Sequence, residues 1–251
     1  MTVAVLGATG MVGSRVLAEA TARGHDVLAL SRNPVPPPAP SPAATGDRGN
    51  EPGKQENRAG GRAGTLPGSV LPIAADAGSP QSLRAALAAS AAHRAADVVV
   101  LALRTFPADP EFLSATTRTV LDAAAELGIR VLVVGGAGAL RSPADPGLLV
   151  ADDPAYVPDA WRPVAAAGIA QLSACRTHAH ADWVYLSPPA LLEPGVRTGR
   201  YRRGTDTLLT GTDGDSRISA EDLAVAVLDE LETPARESHF TVAHLDAHPR
   251  A

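Results

Sequence analysis

The chain has 251 residues, enough to bury the core of one α/β domain with modest additions. Its 45% hydrophobic and 20% charged content is that of an ordinary soluble globular protein, and a net charge of −5 gives no sequence-wide attraction to nucleic acid. The lone cysteine, Cys175, excludes an intrachain disulfide, no run of about 18 apolar residues could span a bilayer, and the first apolar run lacks a basic leader, so a cytoplasmic setting is expected.

Thr2 to Leu6 is short, apolar and β-branched, as a buried parallel strand requires. Met11 to Arg23 carries Val12, Val16, Leu17 and Ala20 on one helical stripe and stops at Gly24. Asp26 to Leu30 is the second strand, which completes a βαβ unit. The next stretch, Pro34 to Pro72, holds nine prolines, seven glycines and no aromatic residue. It cannot bury enough surface to offset its ordering entropy, so residues 34–68 are expected to be a disordered insertion inside one domain spanning 1–251.

Residues 70–75 make a weak third strand, and Pro72 predicts a sheet edge, because proline cannot donate to a central ladder. Ser79 and Pro80 open a helix through about Ala92, with serine as N-cap and proline at the first position. Asp97 to Leu103 is the fourth strand. A helix from Pro110 ends at Gly128, and Ile129 to Val134 is the fifth strand. Pro163 to about His178 is helical, and Asp182 to Leu186 is the sixth strand. Ser219, with capping-box spacing to Asp222, opens a helix to about Glu232, and Phe240 to Ala243 is a last short strand.

This alternation predicts a Rossmann-type doubly wound parallel sheet with a small C-terminal substrate lobe near residues 188–217. Ligands of such sheets bind at the carboxyl ends of the strands, so function belongs to the loops after residues 6, 30, 75, 103, 134 and 187.

The first of these loops is the most informative. Gly7-Ala8-Thr9-Gly10-Met11-Val12-Gly13 joins the first strand to the first helix. Gly7 permits the turn, Gly10 lets backbone approach a pyrophosphate, and Gly13 lets helix and strand pack closely. The helix N-terminus then offers N–H groups and a positive dipole end to phosphate. Gly7, Thr9, Gly10, Met11, Val12 and Gly13 are therefore assigned to the cofactor.

At the end of the second strand, where NAD sites usually carry a carboxylate, stand Ser31-Arg32-Asn33. Arg32 can pair with a 2′-phosphate, which predicts NADP(H) over NAD(H); its alternative is a solvated loop arginine. Asp76 is either an adenine-rim residue or a turn residue. Ala102 and Leu103 end the fourth strand, where the cofactor would lie. Gly135 and Gly136 would place N–H groups beside the nicotinamide, unless they form a flexible turn.

Gly7 to Gly13, Ser31-Arg32-Asn33-Pro34 and Asp76 resemble the NmrA-like NAD(P)H-binding group of atypical short-chain dehydrogenase/reductases. Val134-Gly135-Gly136-Ala137-Gly138, Tyr185-Leu186-Ser187-Pro188, Glu193-Pro194-Gly195 and Thr198-Gly199-Arg200-Tyr201-Arg202 are similar to segments of bacterial proteins named as NADH-flavin reductases, relatives of biliverdin reductase B. Arg217-Ile218-Ser219 with Glu221-Asp222 and Asp229 to Glu232 extend the likeness. It covers nearly the whole chain except the Pro/Gly-rich stretch, where a helix would follow Pro34. The resemblance implies that Pro188, Pro189 and Ala190 meet the carboxamide. Gly138, Tyr156, Trp161 and Leu191 become candidates for the substrate side.

Standard short-chain dehydrogenases use a tyrosine with a lysine four residues on. After Tyr156, Tyr185 and Tyr201 come Ala160, Pro189 and Thr205, and the single lysine, Lys54, lies in the Pro/Gly-rich stretch. The chain therefore lacks the Tyr-Lys pair, which disfavours epimerase and dehydratase chemistry and leaves the catalytic residues unassigned. Two readings stay open. One is hydride transfer from NADPH to a flavin, quinone or similar conjugated acceptor, a small molecule that needs no tuned protein acid. The other is a non-catalytic NADP(H)-binding redox sensor.

Arg197, Arg200, Arg202 and Arg203 could attract a flavin phosphate or form a solvated loop. His178 and His180 do not share a helix face, and no metal set is expected. Cys175 is expected to be an inert buried thiol. Oligomeric state is left open.

Overall fold

The computed structural model describes residues 1–34 and 67–245. The expected insertion lies, except for its first residue and its last two, outside the described residues. Its C-terminal end is well seated: the Gly68 N–H donates to the Thr21 carbonyl at 2.9 Å, and a Cβ there would stand 1.8 Å from the His25 carbonyl oxygen.

Eight strands form one sheet in the order β3-β2-β1-β4-β5-β6-β10-β8. The parallel strands are β1 (Thr2–Leu6), β2 (Asp26–Ser31), β3 (Val70–Ala74), β4 (Val98–Leu101), β5 (Arg130–Val134), β6 (Trp183–Ser187) and β10 (His239–His244). One further strand, β8 (Tyr201–Gly204), runs antiparallel on β10, so the sheet is mixed at this edge rather than parallel throughout. A separate parallel pair joins β7 (Leu191–Glu193) and β9 (Arg217–Ser219).

The helices cover both faces. On one side, α1 (Met11–Ala22) and α5 (Ala220–Glu232) pack together over Val3, Val5, Val100 and Val134. On the other, α2 (Pro80–Leu87), α3 (Pro110–Leu127) and α4 (Arg162–Arg176) cover Ala4, Leu6, Val99 and Val131. All five residues of β1 are buried, which explains its continuous apolar run, and each such valine or leucine contributes about 1.5–3 kcal/mol. Pro72 stands on the edge strand β3 opposite Ala29, where its missing N–H breaks no ladder.

Helix starts follow the sequence closely. Ser79 Oγ accepts from the Ser82 N–H, Asp109 from Phe112, and Ser219 Oγ from Asp222. Gly128 ends α3 in the left-handed region at φ 67°.

Other boundaries differ. α2 ends at Leu87 rather than near Ala92, because Ala88 turns to extended backbone and the Ala96 N–H returns to the Leu87 carbonyl, leading into β4. The alanines of 88–92 suit a helix locally, but tertiary closure overrides them. β4 stops at Leu101, leaving Ala102 and Leu103 in the loop.

Candidate functional site

The loops at the carboxyl ends of β1, β2, β4, β5 and β6 build the site. Gly7 sits at φ +87°, and a Cβ there would lie 2.3 Å from the Ala102 carbonyl oxygen. Gly13 faces Gly7: its Cβ would come within 2.1 Å of the Gly7 carbonyl oxygen. Both glycines are thus required by the turn and by close helix–strand packing, as their spacing suggests.

Gly10 is different. A Cβ there would stand 3.2 Å from the Gly7 carbonyl oxygen, a tight contact but far looser than those at Gly7 and Gly13. It is the N-cap of α1, no side chain caps this helix, and its first turn carries no acidic residue. Thr9 and Gly10 are exposed, with Met11 and Val12 half-buried beside them. An uncapped N-terminus flanked by an exposed glycine suits the pyrophosphate of a dinucleotide.

Ser31 ends β2 opposite Ala74, and Arg32 and Asn33 follow on the surface. Among the described residues Arg32 has no ion-pair partner, and no carboxylate stands beside it in the chain. Asp76, after β3, is a turn residue: it accepts from the Gly78 N–H at 3.0 Å.

The β5 loop has another logic than the sequence suggested. The Gly135 N–H donates to the Leu186 carbonyl at 2.9 Å and is not offered to a ligand. A Cβ on Gly135 would lie 1.8 Å from the Tyr185 hydroxyl, so the glycine makes room for a buried tyrosine. Gly138 is buried against α4, where its Cβ would approach that of Ala165 to 2.7 Å, which gives it a packing role. Pro188 and Pro189 are buried after β6, Ala190 is half-buried, and Leu191 is exposed at the start of β7.

Two of the three tyrosines have their hydroxyls committed within the protein. The Tyr185 hydroxyl donates to the Gly168 carbonyl at 2.9 Å, and burial pushes its pKa well above the ordinary phenol range. Tyr201 donates to Asp229 Oδ2 at 2.7 Å, and burial followed by that carboxylate pushes its pKa up as well. Tyr156 packs half-buried against the cluster of Leu140, Val150 and Leu208, while Trp161 is exposed ahead of α4.

A pair invisible to motif reading lies at the end of β6. Ser187 Oγ and His239 Nε2 are 2.9 Å apart. Burial, then Arg176, pushes the imidazole down to about 4, so it is neutral near pH 7 and pins the strand end that carries Pro188.

Three of the four clustered arginines are committed elsewhere, and Arg200 is exposed. Arg197 forks onto Glu19 of α1 at 2.7 and 2.8 Å. Arg203 pairs with Glu230 and stacks on Phe240 at 3.7 Å. Arg202 donates to the His244 and Thr210 carbonyls. These arginines fasten the lobe. Asp222 does the same, accepting from the N–H groups of Thr198 and Gly199 rather than closing a capping box. Cys175 is fully buried, and burial pushes its thiol up to about 12, as an inert core residue. His178 pairs with Asp122.

Two hollows remain. One, of about 280 Å3, is walled by Tyr201, Arg203, Asp229 and Glu230, near the end of α5 remote from its cap, and its walls pair with one another. The other, about 80 Å3, lies where β4 and β5 end, with Leu103, Gly136, Val164 and Gln171 among its walls. Its apolar lining and its place on the sheet make it the better ligand cleft.

Among the described residues no helix is long and apolar enough to cross a membrane. The sequence profile of the NAD(P)H-binding family matches residues 60–234. That range starts after the glycine loop and Arg32, whose assignment therefore rests on geometry. Similarity to solved structures runs the full length. A candidate exported protein of Burkholderia pseudomallei is 34% identical, with 97% of this chain and 100% of the other covered and a TM-score of 0.73. A candidate epimerase of Bacteroides thetaiotaomicron is 32% identical, with 99% of each chain covered and a TM-score of 0.71. A candidate NADH-flavin reductase of Streptococcus pneumoniae TIGR4 is 25% identical, with 98% and 100% covered and a TM-score of 0.69. With its Rossmann-type sheet, its glycine loop and the profile that spans most of its length, this chain belongs to the NAD(P)H-binding family, in the atypical short-chain dehydrogenase/reductase group.

Proposed function

We propose that the protein is an NADPH-dependent reductase of a planar conjugated acceptor, a flavin or a quinone. The observation that carries this reading is the apolar cleft at the ends of β4 and β5, joined to the glycine loop through Leu103 and with no tyrosine among its described lining residues. NADPH would supply a hydride. The uncapped start of α1 would hold its pyrophosphate, and Arg32 would meet the 2′-phosphate. Leu103 and Val164 would exclude water from the face where the acceptor lies. A flavin or quinone can take its proton from solvent, so the chain needs no acid of its own. The Streptococcus relative's name agrees with this reading. The Bacteroides relative's name points to epimerisation, which the missing Tyr-Lys pair disfavours. The buried lone thiol accords with a cytoplasmic setting.

The test is turnover. Purified protein with NADPH is offered FMN, riboflavin and simple quinones, and loss of the nicotinamide absorbance is followed. Saturable oxidation with at least one acceptor is expected. Tight NADPH binding with no turnover across the set would overturn the reductase reading in favour of a redox sensor.

A further inference from the structure

The cleft between the β4 loop, the β5 loop and α4 carries one charge. Of the described side chains that line it, Arg104 alone is ionised; the others, among them Leu103, Thr105, Val164 and Gln171, are apolar or neutral. A chain with a net charge of −5 thus places a cation and no carboxylate at the mouth of its apolar cleft. Arg104 is exposed, and among the described residues it has no ion-pair or hydrogen-bond partner. Asp109, five residues on, is occupied in capping α3 through the Phe112 N–H at 2.8 Å. Two arginines of the lobe, Arg197 and Arg203, are fastened to Glu19 and Glu230.

We propose that Arg104 selects the acceptor by binding an anionic side arm, so that a flavin carrying a phosphomonoester is preferred over the same ring without it. The inference rests on the acceptor lying in this cleft, as in the function proposed above. A volume of about 80 Å3 takes one edge of a ring system, so the rest of the molecule, with its side arm, lies at the mouth beside Arg104. The planar guanidinium fork matches phosphate oxygens in pairs, and an arginine without a competing carboxylate keeps its donors for the ligand. Phe106 at 93% and Trp161 at 54% exposure flank the lining segments and offer apolar faces on which a ring could rest.

FMN and riboflavin share one ring and differ in the phosphate, so they isolate this contact. Their binding to the NADP⁺-loaded protein is read from quenching of flavin fluorescence, alongside turnover with NADPH. FMN is expected to bind about tenfold or more tighter than riboflavin, in the range of a charge-assisted hydrogen bond. Arg104→Gln should bring the two within about twofold, with riboflavin affinity and NADPH Kd unchanged. Equal binding of the two flavins by the unaltered protein, binding of neither, or a loss of NADPH affinity in Arg104→Gln would overturn the proposal, the last by giving the arginine to the cofactor. Selective FMN binding without turnover would uphold the arginine's role and remove the reductase.

Discussion

The two helices that pack side by side on one face of the sheet, α1 and α5, begin in opposite ways. At α5 the Ser219 hydroxyl accepts from the Asp222 N–H, and the Asp222 carboxylate in turn takes the N–H groups of Thr198 and Gly199 and the Thr198 hydroxyl. Every polar atom there serves the fold. At α1 the cap is Gly10, with no side-chain acceptor and no acidic residue in the first turn. One terminus is closed by the protein's own oxygens, and the other carries no such cap, which is the terminus the proposed function gives to the cofactor. The difference is that between a helix start that stabilises the fold and one whose N–H groups stay free of side-chain caps.

It can be broken most sharply at Gly10. Gly10→Val places a branched side chain where phosphate would approach, its Cβ 3.2 Å from the Gly7 carbonyl oxygen against 2.1 Å for a Cβ at Gly13, so NADPH affinity should fall about a hundredfold or more with a smaller cost to stability. Calorimetric titration and a melting curve read the two effects, and a valine variant that still binds NADPH normally would detach α1 from the cofactor. The mirror experiment is Asp222→Ala. This buried carboxylate leaves several donors without an acceptor, so stability should drop by about 3 kcal/mol, or roughly 6–12 °C in Tm. NADPH affinity should change by less than about threefold, since this terminus is filled by the protein's own groups; a larger loss would show that the two helix starts are not separable.

The remaining two variants sharpen the contrast at smaller scale. Arg32→Ala should weaken NADPH by about 1–3 kcal/mol, the scale of a charged hydrogen-bond partner, and leave NADH nearly unchanged. Equal losses for both cofactors in competition titrations would make Arg32 a general surface charge. Tyr156→Phe should lower kcat by less than about tenfold, below the 10²–10⁴-fold range of general acid catalysis. A thousandfold loss at intact NADPH affinity would identify Tyr156 as an acid, which the proposed hydride transfer does not need.

Much of this was legible in the chain because it is local. The strand–glycine–helix start, the caps at Ser79 and Ser219, the stop at Gly128 and the edge proline each depend on neighbours a few residues away. The roles of Gly7 and Gly13 follow from loop geometry that recurs in this fold. What escaped is decided across the sheet. β7, β8 and β9 are three or four residues long, too short to show a period, and β8 is defined by its partner β10. Arg197 reads as a loop charge until Glu19, 178 positions away in sequence, is seen beneath it. Arg104 gave no pattern at all; only its place just beyond the fourth strand pointed to the cleft.

The packing of Gly135 on Tyr185 has an evolutionary consequence. With the tyrosine hydroxyl 1.8 Å from where a methyl group would stand, the two positions cannot drift independently. An alanine at 135 is admissible only after the ring at 185 has been lost, and a lineage that keeps the ring must keep the glycine. The pair should therefore behave as a single heritable trait, co-varying among descendants and strongly epistatic in the laboratory. A glycine retained for this reason marks ancestry of the core and carries no memory of which nucleotide the ancestor bound.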